Sequence, residues 1–128
     1  MLKRIAIITL AVVVMTTAAN AQSRTVALTF DDLPGADSQE PTALAETNAA
    51  ILQALDRHHA LATGFVIGER VEALPNGRDL LKSWIDRGHD LGNHTNSHRD
   101  LNEQTVQMFA DEVRKGESVF RPLLPAPR

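Results

Sequence analysis

The sequence contains no cysteine, no tyrosine and one tryptophan among its 128 residues. Without cysteine there can be no disulfide framework and no thiolate metal site, so a bound metal would need histidine and carboxylate ligands. Aromatic residues make up only 4% of the chain, which leaves few side chains for the stacking surfaces of a sugar-binding groove. No apolar run reaches the roughly 20 residues that a membrane-spanning helix needs.

The first 21 residues have the pattern of an export signal. Two basic residues precede an apolar run of 11 residues, Ile5 to Met15, and an A-x-A sequence ends at Ala21. This order is typical of a secretory signal peptide with its cleavage site, although an uncleaved membrane anchor or a buried helix is the alternative. We therefore expect residues 1–21 to be a signal peptide and residues 22–128 to form a secreted or periplasmic domain.

Basic residues are fewer than acidic residues in the expected mature chain. Cleavage after Ala21 removes two of the 13 basic residues, which leaves 11 against 16 acidic residues and a net charge of −5. An acidic balance argues against a nucleic-acid partner or an anionic membrane surface. We expect neither partner once the signal is removed, and nothing in the sequence indicates an oligomeric state.

Short β-rich segments alternate with segments of helical periodicity along the chain. Strands connected by helices in this order form parallel sheets, so the sequence predicts an α/β fold. Catalytic residues in such folds collect at the carboxyl ends of the strands. The predicted strands cover residues 25–30, 61–68 and 89–94. The predicted helices cover residues 42–58 and 78–87 and a third segment that contains Val106 to Val113. Asp100 and Glu103, which precede this third segment, have the spacing of a capping box.

Two pairs of chemically active side chains lie where predicted strands end. Asp31 and Asp32 follow the first strand, and His94 and His98 follow the third. Adjacent carboxylates repel each other, but a cation held by one of them and by both imidazoles would stabilise the pair. Taken separately, each pair has an ordinary explanation as exposed loop residues or a capping pair. Together they predict a site with two histidines and one carboxylate around a divalent metal.

The sequence resembles a known family in three segments. "TFDD" after a β-rich run, "ATGFVIG", and "GHDLGNHTNSH" downstream are similar to the polysaccharide deacetylases, also called NodB-homology domains or carbohydrate esterase family four. The resemblance extends over roughly residues 25–124. It implies a distorted (β/α) barrel, of which this chain would supply the first three or four βα units and remain incomplete. It also implies a metal-dependent hydrolase that removes acetyl groups from a glycan, acting on carbon–nitrogen bonds other than peptide bonds.

The resemblance also implies roles for individual residues. Asp31 matches the general base of the family, and Asp32, His94 and His98 match its three metal ligands, with zinc as the usual metal. Thr95 matches a hydroxyl position that braces the loop between the histidines. The expected substrate is an acetylated carbohydrate such as chitin, peptidoglycan, xylan or an exopolysaccharide, and both N- and O-deacetylation stay open.

The sequence departs from the family pattern at several places. Leu33 and Arg99 stand where glycine and proline are frequent. The later family motifs, which supply an arginine that orients the base, an aromatic wall and a histidine general acid, have no convincing match after His98. We therefore expect the N-terminal part of a longer deacetylase, which would bind metal weakly and turn over substrate poorly or not at all.

Two other functions are compatible with the same residues. One is a non-catalytic, truncated fragment that binds metal or glycan. The other is an iron(II) oxygenase, because two histidines and a carboxylate also form that facial triad, although the alternation of strands and helices disfavours it. The remaining histidines have structural explanations: His58 and His59 end a predicted helix, where the helix dipole favours them, and His89 begins a strand.

Overall fold

The computed structural model describes residues 24–36 and 40–126, which form a parallel sheet connected by helices. No helix within those two ranges is long and apolar enough to cross a bilayer. The predicted signal peptide, residues 1–21, lies outside the described residues and stays a prediction. In chain order the elements are β1 (Thr29–Leu33), α1 (Pro41–His58), β2 (Thr63–Val66), α2 (Gly68–Glu72), α3 (Gly77–Ile85), β3 (Asp90–Asn93), a 3-10 helix (Leu101–Glu103), α4 (Val106–Phe120) and a second 3-10 helix (Arg121–Leu123).

The three strands lie in the order β1-β2-β3, and both neighbouring pairs are parallel. Leu33 is opposite Val66, and Val66 is opposite Asn93, so the carboxyl ends of all three strands are level. The predicted α/β alternation is confirmed, with three βα units. Side chains placed just after these residues therefore meet at one edge of the sheet.

Helix α1 begins and ends where the sequence predicts. Pro41 occupies its first turn, where the missing N–H costs no helical hydrogen bond. His59 follows the helix with a left-handed φ of 51°, and its N–H donates to the carbonyl of Asp56. The buried side of the helix carries leucines at helical spacing and one asparagine, namely Leu44, Asn48, Leu52 and Leu55.

The first strand begins later than the sequence predicts. We expected a strand over residues 25–30 and a loop from Asp31, but β1 includes Asp31 and Asp32. The neighbouring strand explains the shift, because β2 begins only at Thr63, which lies opposite Thr29. A β-strand needs a hydrogen-bonded partner, so β-propensity in residues 25–28 does not suffice.

The helices differ from the sequence prediction in two places. Helix α2 was not predicted, because five residues are too short for a recognisable period. Helix α4 begins at Val106, after Thr105, whose side chain accepts a hydrogen bond from the N–H of Met108 at 3.2 Å. The predicted capping residue Asp100 instead accepts from the N–H of Asn102 and caps a 3-10 helix.

Trp84 lies in the hydrophobic core, on the buried side of α3. Its side chain is 0% exposed and contacts the ring of Phe30 edge-on at 5.6 Å. The indole N–H donates to Oδ1 of buried Asn48 at 3.0 Å, and Asn48 Nδ2 donates to the carbonyl of Pro34 at 2.7 Å. This chain of contacts connects α3 and α1 to the turn directly after the Asp pair.

Trp84→Ala should lower the free energy of unfolding by about 3–5 kcal/mol, because it leaves a large cavity. The substitution also leaves Oδ1 of Asn48 buried without its donor. Trp84→Phe retains most of the apolar volume but not the N–H, so we expect an intermediate loss of about 1–3 kcal/mol. Urea unfolding of each variant measures these losses.

Arg78→Ala is the matched control, since Arg78 is an exposed residue of the same helix. We expect this control to change the free energy of unfolding by less than about 0.5 kcal/mol. A Trp84→Ala variant as stable as the Arg78→Ala variant would contradict the assignment of Trp84 to the core.

Candidate metal centre

A β-bulge near the end of β1 sets the position of Asp32. Phe30 is opposite Gly64 and Leu33 is opposite Val66, so β1 has one more residue than β2 between these pairs. Asp32 adopts a left-handed backbone with φ of 64°, which aspartate tolerates better than most residues. In a regular strand, adjacent side chains point to opposite faces, and a bulge changes that alternation.

The two histidines lie on a tight turn after β3, which we call the histidine loop, residues 94–98. The N–H of His94 donates to the carbonyl of Val66 at 2.9 Å, so this residue continues directly from the sheet. Thr95 and His98 have left-handed φ values of 66° and 55°. The N–H of His98 donates to Thr95 Oγ1 at 3.0 Å, in agreement with the bracing role that the resemblance implied for Thr95.

The structure brings Asp32, His94 and His98 together. One ligand atom from each lies within 4.8 Å of the others. Oδ1 of Asp32 is 3.7 Å from Nε2 of His94 and 3.8 Å from Nε2 of His98. The two imidazole rings are 4.6 Å apart between their centres. A carboxylate and two imidazoles at this separation form an open three-ligand set of the kind that catalytic zinc sites use.

The surroundings of Asp32 fit a cation. Its Oδ1 atom is buried and has no hydrogen-bond partner among the described residues. A buried carboxylate oxygen without a hydrogen bond is costly, and a metal ion would satisfy it. The two histidines supply nitrogen ligands that suit zinc and other first-row metals. The residues present therefore fit a divalent metal.

Arg70 is a residue of this site that the sequence analysis missed. It lies on α2, and its Nη1 atom is 3.5 Å from Oδ1 of Asp32 and donates to the carbonyl of Gly35 at 3.1 Å. Its guanidinium therefore contacts both Asp32 and the turn that follows β1. Arg70, Glu69, Ala73 and Ser97 line a cavity of about 380 Å³ beside the site.

Asp31 is the neighbour of Asp32 in the same bulge. Its side chain is exposed, in contrast to the half-buried Asp32. An exposed carboxylate next to a candidate ligand is accessible to a water molecule or a substrate. The role of general base stays a prediction for Asp31, as do the ligand roles of Asp32, His94 and His98.

The middle of helix α4, residues 112–116, contacts the histidine loop and the residue before it. Asn93, just before the loop, donates from Nδ2 to the carbonyl of Val113 at 2.7 Å. A Cβ on Gly116 would lie 2.6 Å from the carbonyl carbon and oxygen of Thr95, so only glycine allows the helix to approach so closely. Glu112 accepts hydrogen bonds at Oε2 from both N and Oγ of Ser97, each at 2.7 Å.

These bonds to Glu112 also fix its charge. Partial burial alone would raise the pKa of the Glu112 carboxyl, but the hydrogen bonds from Ser97 and the nearby charges of Arg99 and Lys115 hold it below its usual value. The group is therefore a carboxylate at neutral pH. Its hydrogen bonds are charge-assisted, which makes them stronger than those of a neutral acceptor.

Three parallel βα units that carry two histidines and a carboxylate at the carboxyl ends of their strands define the class: an α/β domain with a candidate metal centre. The comparison with known proteins is more specific. The polysaccharide deacetylase family matches residues 18–127, and the chain belongs to this family.

Individual relatives agree with this assignment. A peptidoglycan-N-acetylglucosamine deacetylase from Bacillus cereus is 35% identical over 98 residues, which are 77% of this chain and 31% of the relative. A chitooligosaccharide deacetylase from a Bradyrhizobium species is 33% identical over 103 residues, which are 80% of this chain and 42% of the relative. The chain thus spans less than half the length of these two relatives.

Solved structures give the same result for the fold. A peptidoglycan N-acetylglucosamine deacetylase, crystallised with 4-naphthalen-1-yl-N-oxidanyl-benzamide, aligns with a TM-score of 0.61 and 33% identity over 76% of this chain and 40% of its own. The chitin deacetylase of Colletotrichum lindemuthianum aligns with a TM-score of 0.59 and 27% identity, over 76% of this chain and 39% of its own. The neighbours have (β/α)8 barrels, and this chain corresponds to part of one.

Proposed function

We propose that the protein is a zinc-dependent hydrolase that removes acetyl groups from a glycan. The observation that carries the proposal is the convergence of Asp32, His94 and His98 in a chain of the polysaccharide deacetylase family. The relatives named for peptidoglycan, chitooligosaccharide and chitin support an N-acetylated sugar as the substrate. Export, as the pattern of residues 1–21 predicts, would bring the protein to such polymers.

In this proposal, the three clustered side chains hold the metal and Asp31 is the base. Bound zinc would supply a Lewis acid that acidifies water and polarises a carbonyl. The carboxylate of Asp31 accepts the proton of the water that attacks the acetyl carbonyl. The carbon–nitrogen bond then breaks, acetate is released, and the sugar nitrogen takes up a proton.

The cavity beside Arg70 is the proposed place for the sugar. Its lining includes one acidic, one basic and one hydroxyl side chain, those of Glu69, Arg70 and Ser97. Sugar hydroxyls donate and accept hydrogen bonds, so such a lining suits a polar ligand better than an apolar one. Arg70 also contacts Asp32, which puts the cavity next to the candidate metal ligands.

The test is acetate release by the purified chain with zinc and an N-acetylglucosamine tetramer. We expect slow release that stops when a chelator removes the metal and resumes when zinc is added back. A parallel reaction with acetylated xylan asks whether the chain also cleaves O-acetyl esters. A zinc-loaded chain that releases no acetate from either substrate would contradict the proposed function.

A further inference from the structure

The histidine loop has a backbone that needs support from outside itself. Thr95 and His98 are both left-handed, with φ values of 66° and 55°. Such conformations are unfavourable for residues other than glycine, and they persist only where the surrounding structure holds them. The support comes partly from α2, since the N–H groups of Gly68 and Glu69 donate to the carbonyls of Thr95 and Asn96 at 3.1 and 2.9 Å.

The other support comes from the Glu112 carboxylate on α4. Both of its hydrogen bonds go to Ser97, one to the backbone N–H and one to the hydroxyl. Ser97 directly precedes His98 in the chain. A two-point contact of this kind restrains the position and the orientation of the peptide that carries His98.

His98 depends on that peptide more than the other two candidate ligands depend on their backbones. Its side chain is 48% exposed, compared with 29% for His94 and 27% for Asp32. His94 continues directly from β3 and Asp32 lies in the bulge of β1, so hydrogen bonds to β2 and the residue after it hold the backbone beside both. A half-exposed imidazole has few neighbours to hold it, so the loop backbone must place it.

We propose that Glu112 is a positioning residue for the metal centre: it holds Ser97, and thereby the backbone from which His98 reaches the ion. The inference rests on the proposed metal site but assigns a role to a side chain that does not contact the ion itself. Residues that orient ligands in this way typically change metal affinity by about 10- to 100-fold when they are removed.

The experiment measures zinc affinity by competition with a chromophoric chelator for the unmodified chain and three variants. Glu112→Ala removes both hydrogen bonds, and we expect a loss of about tenfold in affinity. Glu112→Gln keeps a carbonyl oxygen that can accept from both groups of Ser97, so its affinity should stay close to that of the unmodified chain. Asp111→Ala removes the neighbouring exposed carboxylate of α4 and should leave the affinity unchanged.

A second readout does not involve zinc. In the metal-free chain, hydrogen exchange at the amides of Ser97 and His98 should be faster in Glu112→Ala than in Glu112→Gln. Urea unfolding of each variant identifies any general loss of structure. If Glu112→Ala does not fold, Ser97→Ala replaces it, because this change removes only the hydroxyl bond; we then expect a loss of about threefold in zinc affinity.

The outcomes separate the two proposals. The positioning role alone is overturned if Glu112→Ala binds zinc as tightly as the unmodified chain. Where Ser97→Ala replaces Glu112→Ala, the same result in Ser97→Ala overturns it. Equal losses in Glu112→Ala, Glu112→Gln and Asp111→Ala also overturn it, because they indicate a general effect of charge. Absence of zinc binding by the unmodified chain overturns the proposed metal site and this inference together.

Discussion

His94→Ala and His98→Ala should each weaken zinc binding by more than about 100-fold. This loss exceeds the usual effect of replacing a residue that only orients a metal ligand. Each substitution removes one of the three candidate ligands, and two remaining groups would not hold a tetrahedral zinc ion firmly. Isothermal titration calorimetry with zinc on the purified chain measures the loss. The effect should be confined to the binding reaction, because both side chains are partly exposed and contribute little to the core.

His58→Ala is the matched control for both variants. His58 is an exposed imidazole at the end of α1, away from the strand ends where the cluster lies. The control removes the same chemical group, so it corrects for zinc that binds weakly to surface histidines. Zinc affinity that falls equally in His58→Ala and His98→Ala would contradict the site.

Asp32→Asn gives independent information about the carboxylate. The amide has almost the same shape but no negative charge, so both zinc affinity and the ion pair with Arg70 should weaken. Loss of zinc binding in this variant together with the histidine variants would identify one shared ion. Normal affinity in Asp32→Asn would assign the third ligand to another group.

The convergence of these residues was predictable from the sequence because of a rule of topology. Parallel strands connected by helices place their carboxyl ends together, and Asp32 and His94 lie at the ends of β1 and β3. Local periodicity was enough to predict the alternation of strands and helices along the chain. The prediction required no knowledge of side-chain contacts.

The bulge in β1 was not predictable, because it depends on pairing. Local propensity suggests that the strand ends before Asp31, since aspartate is rare in strands. The partner strand determines the outcome: Leu33 lies opposite Val66, and the N–H of Ile67 donates to the carbonyl of Leu33 at 3.0 Å. The strand therefore continues through both aspartates, with the extra residue accommodated as a bulge.

The contacts around the site were also not predictable from the sequence, because they depend on how separate elements pack. Arg70 contacts Asp32 from α2, a helix too short to predict, and Glu112 contacts Ser97 across 15 positions of sequence. Glu112 has the spacing of an ordinary exposed helix residue. The close approach of α4 to the histidine loop, which Gly116 permits, brings the Glu112 side chain to Ser97.

Asp31→Asn should lower the rate of acetate release by about 10²- to 10⁴-fold while zinc affinity stays unchanged. Asparagine has nearly the same size as aspartate, so the bulge and the position of Asp32 should be retained. An amide does not accept a proton from water at neutral pH, whereas a carboxylate can act as a general base. Initial rates with the N-acetylglucosamine tetramer, measured at saturating zinc, give the change.

Asp90→Asn is the control for this prediction. Asp90 is an exposed aspartate at the start of β3, at the opposite end of the sheet from the candidate metal centre, and its substitution should leave the rate unchanged. The paired zinc measurement distinguishes the two roles open to Asp31. A variant that loses both zinc and activity would make Asp31 a ligand, whereas one that binds zinc and keeps its rate would exclude it as the base. Loss of activity with full zinc binding is the result expected of a carboxylate that takes the proton without touching the metal.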